Sequence, residues 1–186
     1  MQRSRLLHLS CFNPLQLRYS RITCGLFNPI ATVASYRPLS VGDRVRLKRC
    51  FNAKDVEAFA HTTGDTNPIH LDPDFAEQSI FKRCVVHGAL TVGLVSCLLG
   101  THFPGPGCIL QRLEFQFVAP LFVGELCQVD AEVTQISGTR VVFGIHAFAL
   151  ERDTCIMKGN AHLVVTKEQL CVKPPAHLRI ADGNNA

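Results

Sequence analysis

No aspartate or glutamate occurs before Asp43, and the same stretch has no lysine; its formal charges are Arg3, Arg5, Arg18, Arg21 and Arg37. The chain as a whole is +4, from 19 Lys and Arg against 15 Asp and Glu. Residues 1–34 hold four of those basic residues, so the remainder balances at 15 against 15. The basic excess therefore belongs to the leader and the body is neutral. A general polyanion-binding surface loses its support, and no nucleic-acid partner is expected. Also missing is any Cys-x-x-Cys pair: the nine cysteines are odd in number, which argues against a disulfide scaffold. No Cys/His cluster has ligand spacing, so no metal is expected. Cys84, Cys97, Cys108, Cys127 and Cys155 stand among apolar or strand-like residues and read as small core hydrophobes in a reducing compartment. Internal repeats and low-complexity tracts are absent too, and 186 residues suit one domain with short appendages.

Formal charge is missing again between residues 84 and 111. Cys84 to Thr101 is apolar enough to raise a transmembrane helix. His87, Gly88, Gly93, Ser96 and Gly100 interrupt it, and it follows directly on a polar loop. It reads instead as a helix buried in the centre of a globular fold, with no membrane span.

The acid-free start, with its arginines, apolar residues and scattered serines, is what a mitochondrial transit peptide looks like. Leu6, Leu7, Leu9 and Phe12 can share one helical face, with Arg3, Arg5 and His8 elsewhere around it. An ordinary N-terminal extension is the plainer alternative. The expected organisation is a transit peptide over 1–34, a domain over 35–166, a loose polar tail over 167–186, and residence in the mitochondrial matrix.

Most of the chemistry is concentrated in Thr63-Gly64-Asp65-Thr66-Asn67-Pro68-Ile69-His70. The run puts a carboxylate and an imidazole five residues apart on a turn stiffened by Gly and Pro. Asp and His move protons near neutral pH, and a turn this compact can aim both at one water. Asn67 adds a neutral amide that can orient either partner or cap the next helix. The plainer alternative makes Asp65 a turn residue and His70 a hydrogen-bonded cap.

Around this run the periods change. Val41 to Cys50 reads as a short strand or extended entry segment, and Asn52 as the cap of a helix through His61. Asp72-Pro73 reads as a second helix start with Phe75-Ala76 turned inward. His87-Gly88 opens the apolar helix, and Pro104-Gly105-Pro106-Gly107 ends it. After that, alternation of period two predicts four strands. They run from Ile109 to Phe117, through Cys127 to Val133, over Arg140 to Glu151 beyond a Ser137-Gly138 turn, and from Met157 to Val165. Close spacing predicts an antiparallel meander, and the whole an α+β arrangement with the helix against one face of the sheet.

Phe59-Ala60-His61-Thr62-Thr63-Gly64-Asp65-Thr66-Asn67-Pro68-Ile69-His70 resembles the hydratase signature of the MaoC-like, (R)-specific enoyl-thioester hydratases. Val86-His87-Gly88 resembles that family's second landmark. The match spans about residues 39 to 166. With the leader, it points to the branch that dehydrates (3R)-3-hydroxyacyl thioesters in mitochondrial type II fatty acid synthesis. The resemblance implies a single hot-dog fold, a curved antiparallel sheet wrapped around a central apolar helix, paired as a homodimer. It implies Asp65 and His70 as the catalytic pair, Asn67 as their orienting residue, and the Gly88 amide as donor to the thioester carbonyl. Ser96 matches a position near the family's site, although mid-helix it could equally only fill space. His87 either braces the loop around Gly88 or takes a direct part. The implied substrates are carried on acyl carrier protein or CoA, and the chemistry needs no cofactor. Leu94, Leu98, Leu99, Phe103 and Phe117 are candidates for the floor of an acyl tunnel. Two other functions stay open: thioester hydrolysis, which would release free thiol, and a non-catalytic acyl-binding subunit.

Overall fold

A computed structural model describes residues 38–171. The expected transit peptide and the tail beyond Cys171 lie outside the described residues. Five strands form one antiparallel sheet: β1 (Arg44–Cys50), β2 (Ile109–Phe117), β3 (Leu126–Ser137), β4 (Arg140–Ala149) and β5 (Thr154–Val164). Four helices accompany it: α1 (Ala53–Thr63), α2 (Pro68–Leu71), α3 (Pro73–Gln78) and α4 (Gly88–Cys97). One π-helical turn, Leu98–His102, extends α4.

The period-two alternation does what it predicts in β3. Cys127, Val129, Ala131 and Val133 are buried, as are Val141, Phe143, Ile145 and Ala147 of β4 and Met157, Ala161 and Leu163 of β5. Into this concave face packs α4, contributing Leu94 and Val95, with Leu98 and Leu99 from the π turn. Phe103 closes the far end edge-on to Phe143, with ring centroids 5.9 Å apart. A helix apolar on all sides needs cover on all sides, and a sheet curled around it supplies most of that. The result is the hot-dog fold. No helix among the described residues is long and apolar enough to cross a membrane.

Two expectations need correction. The four later strands are not one meander. β3, β4 and β5 are consecutive neighbours, but β2 pairs with β5, giving the order β1-β3-β4-β5-β2. The reason lies in the connection after β2, which is no hairpin. Its Val118 amide bonds to Ile156 O at 2.9 Å and its Phe122 bridges Val85, so the chain crosses to the other side before β3 begins. β1 takes the place beside β3. Second, Phe75 is half exposed and only Ala76 of α3 is buried, because so short a helix has one inward position.

The expected loose tail is also held at its start. Gln169 is buried, its Nε2 donating to Gly105 O and Pro106 O at 2.8 and 2.9 Å. Leu39 N donates to Leu170 O at 2.6 Å, so this turn ties the first described residues to the turn after α4. A side-chain amide has donors and acceptor enough to stitch a turn that composition alone reads as solvent-exposed.

Candidate active site

The site starts with the way α1 ends. Asn52 opens that helix with a capping box, its side chain accepting from Lys54 N and Asp55 N while the Asp55 carboxylate accepts from Asn52 N. Gly64 closes it in the left-handed conformation, φ 79°, which glycine adopts without steric cost, and its N–H returns to Ala60 O. Asp65 therefore leaves the helix on a fixed turn. Its Oδ1 accepts from Asn67 N at 3.4 Å, and the Asn67 side chain in turn caps α2 by accepting from Ile69 N at 3.2 Å. Pro68 pre-sets the first residue of α2. Of the two roles open to Asn67, its side chain takes the cap, and its backbone N–H reaches the Asp65 carboxylate.

His70 lies in the last turn of α2. Its Nδ1 is 2.7 Å from Val85 O, and Val85 N donates to Ile69 O at 3.2 Å. A carbonyl only accepts, so Nδ1 carries the hydrogen and the Nε2 of neutral His70 is left with a lone pair. Next along the chain, His87 is buried and Gly88 begins α4. The Gly88 amide has no intrahelical acceptor, and the positive end of the helix dipole adds to it. One nitrogen from each imidazole and a carboxylate oxygen of Asp65 lie within 4.8 Å of one another. That separation lets a single water touch the Asp65 carboxylate and the His70 ring together.

Beside them opens a cavity of about 570 Å³, lined by His70, Gly88, Thr91, Phe117, Leu121 and Ile156 among others. Its walls are mainly apolar, as an acyl chain requires. The Phe117 ring lies so close to Gly88 that a Cβ there would come within 2.8 Å of it. Glycine thus leaves the backbone amide open to the cavity where any side chain would collide.

An ion pair between buried Glu125 and the more exposed Arg152 holds the wall behind His70. Glu125 accepts from Arg152 Nε and Nη2 at 2.8 and 3.0 Å and from Phe122 N at 3.0 Å. Arg83 and Arg152 both lie over the Phe122 ring, 4.7 and 5.0 Å from its centroid. Burial by itself would raise the Glu125 carboxyl, but the Arg152 and Phe122 hydrogen bonds and the nearby guanidinium charges carry it below the ordinary carboxylate value. Burial pushes the Cys127 thiol up to about 12, which makes it a core residue and no nucleophile.

The structure brings Asp65, His70, Asn67 and Gly88 together and leaves Ser96 apart. Ser96 is exposed, on the same stripe of α4 as Ala89, Gly93 and Cys97, and does not line the cavity. Of the five tunnel candidates only Phe117 lines it; Leu94, Leu98, Leu99 and Phe103 are sealed in the core. Thr91, buried against the cavity, was missed in the sequence; its one signal is its position a helical turn after Gly88. Asp65, His70 and His87 form the one cluster of metal-ligand type among the described residues. Its donors suit hydrogen bonding better than a cation: His70 Nδ1 and His87 Nε2 each face a backbone carbonyl, Val85 O and Asp65 O.

Comparison with known proteins bears on the family and the fold. The family model of the MaoC-like domain matches residues 36–154. A 3-hydroxybutyryl-CoA dehydratase of Methylorubrum extorquens is 34% identical over 155 residues, covering 83% of this chain and 98% of that one. A mitochondrial 3-hydroxyacyl-[acyl-carrier-protein] dehydratase of Arabidopsis thaliana is 28% identical over 150 residues, covering 78% and 89%. Among solved structures, the (R)-hydratase from A. caviae superposes with a TM-score of 0.67 at 35% identity, covering 69% of this chain and 98% of that one.

Proposed function

The chain belongs to the MaoC-like domain family, whose named relatives are hydratases and dehydratases, and from that premise we propose that it catalyses the reversible dehydration of (3R)-3-hydroxyacyl thioesters to trans-2-enoyl thioesters. One observation carries the proposal: a carboxylate and an imidazole within reach of one water, the imidazole lining an apolar cavity that also presents a helix-opening glycine.

In the hydration direction the thioester carbonyl draws charge from the β-carbon, and negative charge grows on its oxygen. The Gly88 amide meets that oxygen; a single donor of this kind is worth about 10²–10³ in rate. Asp65 and His70 hold the water, one taking its proton as oxygen attacks C3, while a proton from the same assembly reaches C2. Dehydration reverses each step. General acid–base help of this type is worth about 10²–10⁴. Asn67 fixes the spacing of the pair through its cap and its backbone N–H.

The finer parts of the reading rest on other observations. The arginine-bearing, acid-free leader and the mitochondrial plant relative support the matrix, mitochondrial fatty acid synthesis and an acyl carrier protein as carrier, with CoA thioesters also accepted. Exposed Ile109 and Phe117 on the edge strand β2, with Val118 next to it, support a homodimer. The exposed α4 stripe would be covered by the second copy, and Ser96 would reach a site only in that assembly.

The test is an assay of the purified full chain with a trans-2-enoyl-CoA, followed by chiral analysis. The expected product is the (3R)-hydroxyacyl-CoA, with no thiol released. Thiol release would move the chain to thioester hydrolysis. No turnover by folded protein, with CoA and carrier-protein substrates alike, would make it a binding subunit.

A further inference from the structure

His87 is the buried residue that the reaction just described leaves without a task. Its ring is 1% exposed and touches both members of the working pair, Asp65 and His70. Its Nε2 lies 3.0 Å from the Asp65 backbone oxygen and 3.9 Å from Asp65 Oδ2. Its face stacks on His70, with centroids 3.8 Å apart and an interplanar angle of 29°. Its own backbone leads directly into Gly88, and its C=O accepts the first returning amide of α4, Leu90 N, at 2.9 Å. Phe59 covers the ring from another side, 4.9 Å away.

The remaining ring atom, Nδ1, is buried with no hydrogen-bond partner. An apolar ring of the same shape would fill this space without leaving a polar atom unsatisfied. What histidine adds is the N–H at Nε2 and its bond to Asp65. That bond matters because the Asp65 side chain is 52% exposed and packing cannot hold it. The other local tethers are at surface-exposed positions, Asp65 N to Thr63 Oγ1 at 3.3 Å and Asn67 N to Asp65 Oδ1 at 3.4 Å. Of the contacts that fix Asp65, the one from His87 comes from the core.

We propose that His87 is a positioning residue, whose Nε2–H fixes the Asp65 main chain while its ring face fixes the His70 imidazole. The inference rests on Asp65 and His70 being the working pair. It carries a specific corollary: the two stacked histidines hold opposite tautomers. Asp65 O can only accept, so His87 carries its hydrogen on Nε2; Val85 O can only accept, so His70 carries its hydrogen on Nδ1. The arrangement leaves His70 Nε2 as the basic atom of the stack that can face substrate.

Two substitutions separate the two contacts. His87→Phe keeps a flat ring against His70 and removes the donor; His87→Gln keeps an N–H within reach of Asp65 O and loses the stack. In the full chain, His87→Phe is expected to lower kcat about 10²-fold, the size of effect a small misplacement produces, with KM changed less than about threefold. His87→Gln is expected to recover about tenfold of that loss. A Phe variant that keeps its kcat within about twofold of the native chain, or a Gln variant no better than Phe, would overturn the proposal. Imidazole nitrogen NMR of the native protein reads the same geometry without turnover, and decides alone if the Phe variant does not fold. Opposite tautomers support the proposal, and a shared tautomer overturns it. Failure of the pair itself would show separately, as near-normal turnover in Asp65→Asn.

Discussion

At its first residue α4 meets a cavity, and at its last turn it meets a closed network. On the cavity side, the Gly88 amide has no intrahelical acceptor, the Asp65 carboxylate is half in solvent, and His87 Nδ1 is buried without a partner. On the other side, Phe103 N returns to Leu98 O and Gly105 N to Leu99 O, at 2.8 and 3.0 Å. Gln169 accepts from Thr166 N at 2.8 Å while its amide nitrogen serves Gly105 O and Pro106 O. Unused hydrogen-bonding capacity is thus gathered at one end of the helix, whereas the groups just named at the other are paired. Native proteins leave few buried polar groups unpaired, and those they leave cluster where function needs them. Anchoring at the far end is what lets the near end stay open.

The largest expected contrast follows from that division. Asp65→Asn and His70→Ala should each lower kcat about 10²–10⁴-fold while the thermal midpoint stays within a few degrees of the native chain. Steady-state kinetics beside a melting curve checks both halves, and near-normal turnover in either variant would remove the pair from catalysis. Gly88→Ala comes next. The new methyl meets the Phe117 ring at 2.8 Å, so either the ring or the start of α4 shifts. A loss of about 10- to 10²-fold in kcat/KM is expected. Adding Phe117→Ala should restore part of it, and no restoration would mean that the collision is not the cause.

At the closed end the effect should change kind. Gln169→Ala strands the Gly105 and Pro106 carbonyls and should cost about 1–3 kcal/mol of stability with kcat unaltered. Urea unfolding measures it. A variant that keeps its stability but loses turnover would contradict the division between the ends.

Much of this molecule could be read from the sequence, and for identifiable reasons. Alternation in β3 to β5 gave the buried face because one side of each strand is core. Asn52, Asp72 and Pro73 gave helix starts because caps are local chemistry. Asp65, His70 and Gly88 carried a motif whose spacing is itself the geometry. What could not be read depended on tertiary crossing. Nothing local to Ile109–Phe117 says that it pairs with β5, because the deciding contact, Val85 with Phe122, joins residues far apart in sequence. Leu98 and Phe103, candidates for the tunnel floor by their apolar character, are sealed in the core, a position set by tertiary packing. His87 stayed undecided for a related reason: its meaning lies in a hydrogen bond to a residue 22 positions earlier.

The smallest effect tests whether the open end is held from outside the helix. Leu121 O accepts Val86 N at 2.8 Å, Val123 N donates to Cys84 O at 3.1 Å, and Val85 O holds His70, so the segment before α4 hangs on the strip from Leu121 to Val123. Glu125 and Arg152 pin that strip, with Arg152 also donating to Pro120 O at 2.6 Å. Because the folded Glu125 carboxyl titrates below the ordinary value, its contribution is fully present above the unfolded carboxylate pKa of about 4.3. It fades as pH falls from there through the folded value. Glu125→Gln should therefore be less stable than the native chain by about 1 kcal/mol at neutral pH, and the gap should close on acidification below about pH 4. Denaturation midpoints of both proteins across that range decide the matter. A gap that does not change with pH would mean that the carboxylate charge is not what pins the strip, and that the wall behind His70 is held by packing on Phe122 instead.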